Sequence, residues 1–243
     1  MDRKDRIMRT HPRILAGQCS GGSCPRVYDL PGHPDDLVIQ GKQTSDHLLA
    51  ELTGVADDEN AVIISRELVG EALRPKDTPV SPEAFGALFT GFSYTADRLE
   101  TQQHYAGTAR DEEWISLLRV NRRWGRAHRR VHVVTEPLTP AMQEELTAGY
   151  EGNVAAGEDI RIITAAEGEW PDGIPGYDFW LFDSSGLYLM NYEPDGTFTG
   201  ATRVGDPERI VEACRARDAA MHRAMPWHAY VASRPDLQRR LAL

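Results

Sequence analysis

Three prolines fall within nine residues at Arg74-Pro-Lys-Asp-Thr-Pro-Val-Ser-Pro82. Each removes an amide donor and biases its predecessor away from the helical region, so neither a helix nor a central strand is expected to cross this stretch. No other local feature constrains the fold as much. It divides 243 residues into a small first module, 13–73, and a larger second one, 83–243, with 74–82 as a Pro-rich linker.

The first module reads as β-rich. Arg13–Cys19 and Arg26–Leu30 are short strand candidates joined by the turn Cys19-Ser-Gly-Gly-Ser-Cys24-Pro25, and Asp36–Gln43 is a third, with the apolar run Leu37, Val38, Ile39 bounded by Gly41. Ser45–Leu52 and Arg66–Leu73 are helical in pattern, and Ala61–Ile64 is a β-branched run between them.

In the second module Ser81 caps a helix that opens on Pro82. Asp111–Arg129 is the next helix, acidic at its start and basic at its end, with Trp114, Leu117, Leu118 and Trp124 on its inner side. Arg130–Thr135 and Asp159–Thr164 are strands, and between them Thr139-Pro140 starts a helix whose buried stripe is Met142, Leu146 and Tyr150. Asp178–Asp183 and Gly186–Tyr192 form a hairpin across Ser184-Ser185, Thr197–Val204 is an edge strand, and Asp206-Pro207 opens a helix running to Ala224. That order predicts an α/β (α+β) fold, a mixed-sheet sandwich behind a small β-rich domain.

Charge and cysteine content narrow the function. Twenty-seven basic residues against thirty-seven acidic ones leave −10, which argues against a protein that coats nucleic acid with its whole surface. Three cysteines leave one over, against a secreted disulfide framework. No signal-peptide core or membrane-length apolar run occurs, so a cytoplasmic protein with no membrane partner is expected.

Several constellations could carry chemistry. Cys19 and Cys24, with His33, offer three zinc-type donors (His47 is the other local candidate), whereas two small apolar thiols on a turn need no metal; no cofactor is expected. Arg119, Arg122, Arg123 and Arg126 share one face of the expected helix, beside Trp124. They suit phosphate contacts, or simply a solvated face. Arg98, Glu100, Glu136, Arg161, Asp178 and Asp183 sit at strand ends, where open α/β sheets bind ligands and where ion pairs and caps also collect. On the last helix Asp218 projects into a stripe of Ile210, Cys214, Met221 and Met225, which calls for a partner such as Arg98 or Arg161. No serine has a Gly-x-Ser-x-Gly context and no His pair has HExxH spacing.

Four blocks, Arg98–Thr101, Val131–Thr139, Asn153–Arg161 and Asp178–Asp183, resemble an uncharacterised actinobacterial domain family over about Ser81 to Trp227. Its members are commonly encoded beside WhiJ-type helix-turn-helix regulators and small BldB-like proteins in Streptomyces and relatives. The turn Cys19–Pro25 and the strand Ile39-Gln-Gly41 are similar to a separate family of short actinobacterial proteins, which implies a fusion. The second module's element order is also similar to one half of a phospholipase D-like fold. Active members of that superfamily need His-x-Lys-x4-Asp, which neither His128 nor His132 begins. The resemblances therefore imply a non-enzymatic regulatory or adaptor protein. It would bind a helix-turn-helix regulator, or a small anionic ligand through Arg98 and Arg161. Two alternatives stand beside it: a hydrolase or transferase using Glu136, Asp178 and Asp183, and DNA binding through the arginine cluster.

Overall fold

A computed structural model describes residues 12–17, 25–31, 33–53, 56, 59–104 and 112–241. The chain forms two compact units, Met1–Pro75 and Lys76–Leu243.

In the first unit β1 (Arg13–Gly17), β2 (Arg26–Leu30) and β3 (His33–Gln40) make an antiparallel sheet in the order β1-β2-β3. β4 (Lys42–Gln43) and β5 (Val62–Ile63) form a separate two-stranded ribbon. The strand expected over Asp36–Gln43 is thus two strands broken at Gly41. A Cβ there would lie 2.8 Å from the Ile63 carbonyl oxygen, so only glycine lets the chain pass this close. Ser45 and Ser65 cap α1 (Asp46–Glu51) and α2 (Arg66–Leu73), each hydroxyl accepting an N–H three residues on. The core is small: Leu68 and Ala72 of α2 bury against Ala16 and Val27.

The second unit is built on an eight-stranded mixed sheet, ordered β13-β9-β8-β7-β10-β11-β12-β6. β7 (Thr95–Glu100), β8 (Ala127–Glu136) and β9 (Asp159–Ala166) run parallel. The others, β10 (Phe179–Phe182), β11 (Gly186–Tyr192), β12 (Phe198–Arg203), β6 (Thr78–Val80) and β13 (Met225–Pro226), pair antiparallel. β12 is therefore not the edge. β6, drawn from the stretch expected as linker, lies outside it, and Pro79 is tolerated because β6 pairs on one side only.

Ser81 caps α3 (Pro82–Gly91) and Thr139 caps α5 (Pro140–Glu144), each ahead of a proline at the first helical position. α4 (Glu112–Arg123) ends six residues before the expected Arg129 because Gly125, at φ +75°, turns the chain into β8. A five-residue π-helical turn, Glu145–Gly149, joins α5 to α6 (Tyr150–Ala156). Its wider winding keeps Met142, Leu146 and Tyr150, four residues apart, on one buried line. α7 (Pro207–Arg223) packs on the opposite face of the sheet, and α8 (Trp227–Ala232) and α9 (Pro235–Leu241) finish the chain.

The sheet is buried on both sides. Under α3 and α4 an aromatic cluster of Phe85, Phe89, Phe92, Trp114, Trp180, Phe182 and Tyr188 meets mostly edge to face. On the far side α7 presents Ala213 and Ala220, flanked by Ile210, Cys214 and Met221, to Val131, Val133, Phe179 and Leu181, and Ala216 is buried on the same helix. Asp218 is a correction. Small residues let α7 approach the sheet closely, so alanines face inward and Asp218 turns to solvent, its side chain 69% exposed and ion-paired with Arg217 rather than Arg98 or Arg161.

Candidate functional site

Alternation along a strand decides which charges meet. On one face β7 carries Arg98 and Glu100, β8 carries His128, Arg130 and His132, and Asp178 precedes β10; on the other lie Asp97, Arg129 and Arg161. The first face holds the densest polar cluster. Arg130, buried, places Nη1 3.0 Å from both oxygens of Glu100 and Nε 2.8 Å from Glu158, with its guanidinium over the Tyr150 ring. Arg98 Nη2 reaches Glu100 Oε1 at 2.6 Å, and the Tyr150 hydroxyl donates to Glu100 Oε2 at 2.8 Å. His132 bridges the Tyr150 hydroxyl at 2.6 Å and the Gln102 carbonyl at 2.9 Å. Asp178 accepts from the Thr101 amide and hydroxyl and from Tyr192.

Burial alone would push the Glu100 carboxyl up. Arg130 and Arg98 outweigh it and hold the pKa down at about 2. Burial and the Glu100 charge both push the Tyr150 phenol well up. Glu145, on the π-helical turn, is also raised, by burial and then by repulsion from Glu100. Chemically this is an ion-pair network whose donors are aimed at acceptors inside it; it clamps α6 and the segment before β9 to the sheet.

His128 is set differently. Asn121 Oδ1 accepts from Arg126 and its Nδ2 donates to the Phe89 carbonyl, which fixes the amide and turns Nδ2 toward His128 Nε2 at 3.1 Å. That nitrogen must accept, so the imidazole proton sits on Nδ1, which lies among aromatic rings and has no hydrogen-bond partner among the described residues. Burial first, then Arg130 and Arg126, lower its pKa to about 4.

On the other face Asp97, buried, bridges Arg129 Nη2 at 2.9 Å and Arg217 Nη1 at 3.1 Å. The indentation beside them, lined also by Val131 and Met221, measures about 10 Å³. That is room for roughly one water, far below a ligand pocket.

Arg98, Glu100 and Asp178 are thus brought together, and the remaining strand-end candidates are not. Arg161 lies on the opposite face from Arg98 and pairs with Asp159, so the two cannot hold one small anion. Glu136 bonds Tyr230 and Arg234 at the end of β8. Asp183 and Ser184, both left-handed, form the hairpin turn, and the Asp183 carboxylate accepts from the amides of Ser93, Tyr94 and Thr95 at 2.7, 2.7 and 2.9 Å. Burial would raise its pKa, and these three amides bring it down. Glu136, Asp178 and Asp183 therefore do not converge as the enzyme reading requires. Among the described residues no three His, Cys, Asp or Glu side chains are arranged to hold a metal ion. Asp183→Ala is expected to lower stability by about 2 kcal/mol, measured by urea unfolding, because three charge-assisted bonds are lost.

The arginine cluster also divides. Arg119 and Arg123 are exposed on α4, and Arg122 packs against Gly157, where a Cβ would meet its Cδ at 2.5 Å. Arg126 has left the helix and stacks on Phe92 and Trp124 while donating to the Thr90 carbonyl, so the four do not form one face. Trp124, expected inside, is 68% exposed, because Gly125 turns the chain at the helix end. Cys19 and Cys24 lie outside the described residues, as does the His33 side chain.

The sequence reading missed Arg130, His132, Tyr150 and Glu158 as partners of Glu100, and Asp97 with Arg217. A signal existed: polar residues at every second position, His128, Arg130 and His132, run through a β-branched strand.

Fold and cluster together define an α/β protein with a mixed sheet and an ion-pair network in its interior. The chain belongs to the family described as "Domain of unknown function (DUF6879)", which residues 106–232 match. Its backbone is similar to the crystal structure of a phospholipase D family member, Nuc from Salmonella typhimurium. The TM-score is 0.40 and the identity 11%, covering 63% of this chain and 97% of that one. A likeness of that degree carries no argument about activity. No curated protein matches the chain. Among the described residues no helix is long and apolar enough to cross a membrane.

Proposed function

We propose that the chain is a non-enzymatic adaptor whose second unit docks a protein partner, a helix-turn-helix regulator. One observation carries this reading. Trp124 is 68% exposed with the Arg126 guanidinium 4.9 Å above its ring, and Tyr94, 73% exposed, is joined to the same corner through the bond from the Ala127 amide to its carbonyl. Tryptophan, tyrosine and arginine are the residues that dominate binding energy at protein interfaces. Exposed Arg119 and Arg123 lie on the last turns of α4, just before Trp124 in the chain, so an apolar segment bordered by acidic residues complements the surface. Support also comes from the strand-end charges, which are spent on ion pairs and backbone amides within the unit.

The test is a calorimetric titration with purified regulators from the source genome. Trp124→Ala is expected to weaken binding by about thirtyfold, roughly 2 kcal/mol, with thermal unfolding unchanged. Equal binding by the variant would overturn the reading. DNA binding that falls steeply with salt and is lost in Arg119→Ala with Arg123→Ala would replace it with a nucleic-acid role.

A further inference from the structure

We propose that the outer edge of β3 is a self-association site, where a second copy of this chain adds its own β3 antiparallel to the first. β3 is eight residues long and ends the order β1-β2-β3, and among the described residues it pairs only with β2. Val27 of β2 pairs with Ile39, Tyr28 with Val38 and Asp29 with Leu37, so Leu37 and Ile39 share the face on which Val27 is buried under α2. α2 packs over β1 and β2, and β3 extends past it, leaving Leu37 43% and Ile39 44% exposed. Val38 is exposed on the other face. Edges that stay single are blunted by lysine, proline or a bulge. β3 has Pro34 and a register shift near its start, between the Leu30–His33 and Asp29–Leu37 pairs, but Leu37-Val38-Ile39 carries no such device and pairs with β2 in regular register.

The sequence of β3 selects the occupant. Antiparallel pairing about a two-fold axis at Val38 sets Leu37 of one copy opposite Ile39 of the other, so the exposed aliphatics cover each other on the face that α2 leaves open. The same pairing sets Asp36 of each copy opposite Gln40 of the other, so the acidic starts lie apart. Parallel pairing would stack the acidic starts side by side. The strand is thus complementary to itself in one orientation, the isologous arrangement of a symmetric dimer.

Sedimentation velocity of the full chain over about 1–100 µM is the test. The expected result is a species of twice 27.1 kDa for the unaltered chain. Val38→Lys is expected to weaken the dimer at least about a hundredfold, because the two lysines then lie directly opposite each other across the two-fold axis. Leu37→Lys gives the same reading if Val38→Lys fails to fold. Val62→Lys, at an exposed site on the β4–β5 ribbon, is expected to leave the dimer unchanged. A monomer at about 100 µM, a dimer that survives both β3 substitutions, or one equally sensitive to Val62→Lys would each overturn the proposal.

Discussion

Replacing Glu100 with alanine is expected to cost about 3–5 kcal/mol of stability, the range seen when one partner of a buried ion pair is removed. Glu100 is 1% exposed and receives both contacts of Arg130 Nη1, the 2.6 Å contact of Arg98 and the Tyr150 hydroxyl. Without it, Arg130 keeps only Glu158 in a site closed to water, and the phenol keeps only its contact with His132. The loss should exceed that from Asp218→Ala, whose pair with Arg217 is exposed on the aspartate side. Adding Arg130→Met to Glu100→Ala should cost less than the two single losses summed, since either change alone already breaks the same pair, although Glu158 is then left buried without Arg130. Denaturant unfolding of the unaltered chain, Glu100→Ala, Arg130→Met and the double variant closes a double-mutant cycle. A Glu100→Ala cost below about 1 kcal/mol would mean the network contributes little.

Acid is expected to destabilise the second unit in two stages. His128 has its pKa lowered from 6.5 to about 4 by burial and by Arg130 and Arg126. A base depressed in the folded state contributes stability that is fully present above pH 6.5 and lost as pH falls toward 4. A shift of that size corresponds to about 3 kcal/mol. The hydrogen bonds lead to the same sign independently. Protonation would set an N–H on Nε2 against the Asn121 amide donor, whose orientation Arg126 and the Phe89 carbonyl fix. Below that window Glu100 takes over, its pKa lowered from 4.5 to about 2, so its contribution is present above 4.5 and is lost toward 2. Thermal melts from pH 8 to 3 should show the first loss between 6.5 and 4. His128→Gln, which keeps an acceptor toward Asn121, should flatten that segment alone. An unchanged slope in the variant would assign it to other groups.

What the sequence disclosed was local. Ser81-Pro82, Thr139-Pro140 and Asp206-Pro207 mark helix starts because a cap and a first-turn proline act within one turn of chain. The hairpin Phe179–Phe182 with Gly186–Tyr192 was readable for the same reason: its register is set by the two left-handed turn residues between its strands. The failures needed a neighbour far along the chain. Glu100 finds Arg130 thirty residues on and Tyr150 fifty residues on, and nothing near Glu100 encodes either. Asp218 was misread because a helical wheel follows the largest apolar side chains, whereas close packing on the sheet favours Ala213, Ala216 and Ala220. Trp124 and Arg126 were misplaced because a single left-handed glycine ended α4 earlier than the charge pattern suggested. In the linker the prolines speak against a helix and a central strand, but they do not reveal the edge strand that a distant partner, β12, makes of this stretch.

That edge strand changes what the connection between the units is mechanically. A pull on the chain at the start of the second unit meets structure at once. It arrives first at Asp77, which accepts from the Gly205 amide at 3.0 Å and pairs with Arg209 of α7 at 2.6 Å. From there it passes to β6, whose Thr78, Pro79 and Val80 are registered against Arg203, Thr202 and Ala201. Rupture would begin by peeling this short strand from β12, leaving a sheet margin open to solvent. The tether is stitched into the body it holds, and the last stitch before α3 is the Val80–Ala201 pair.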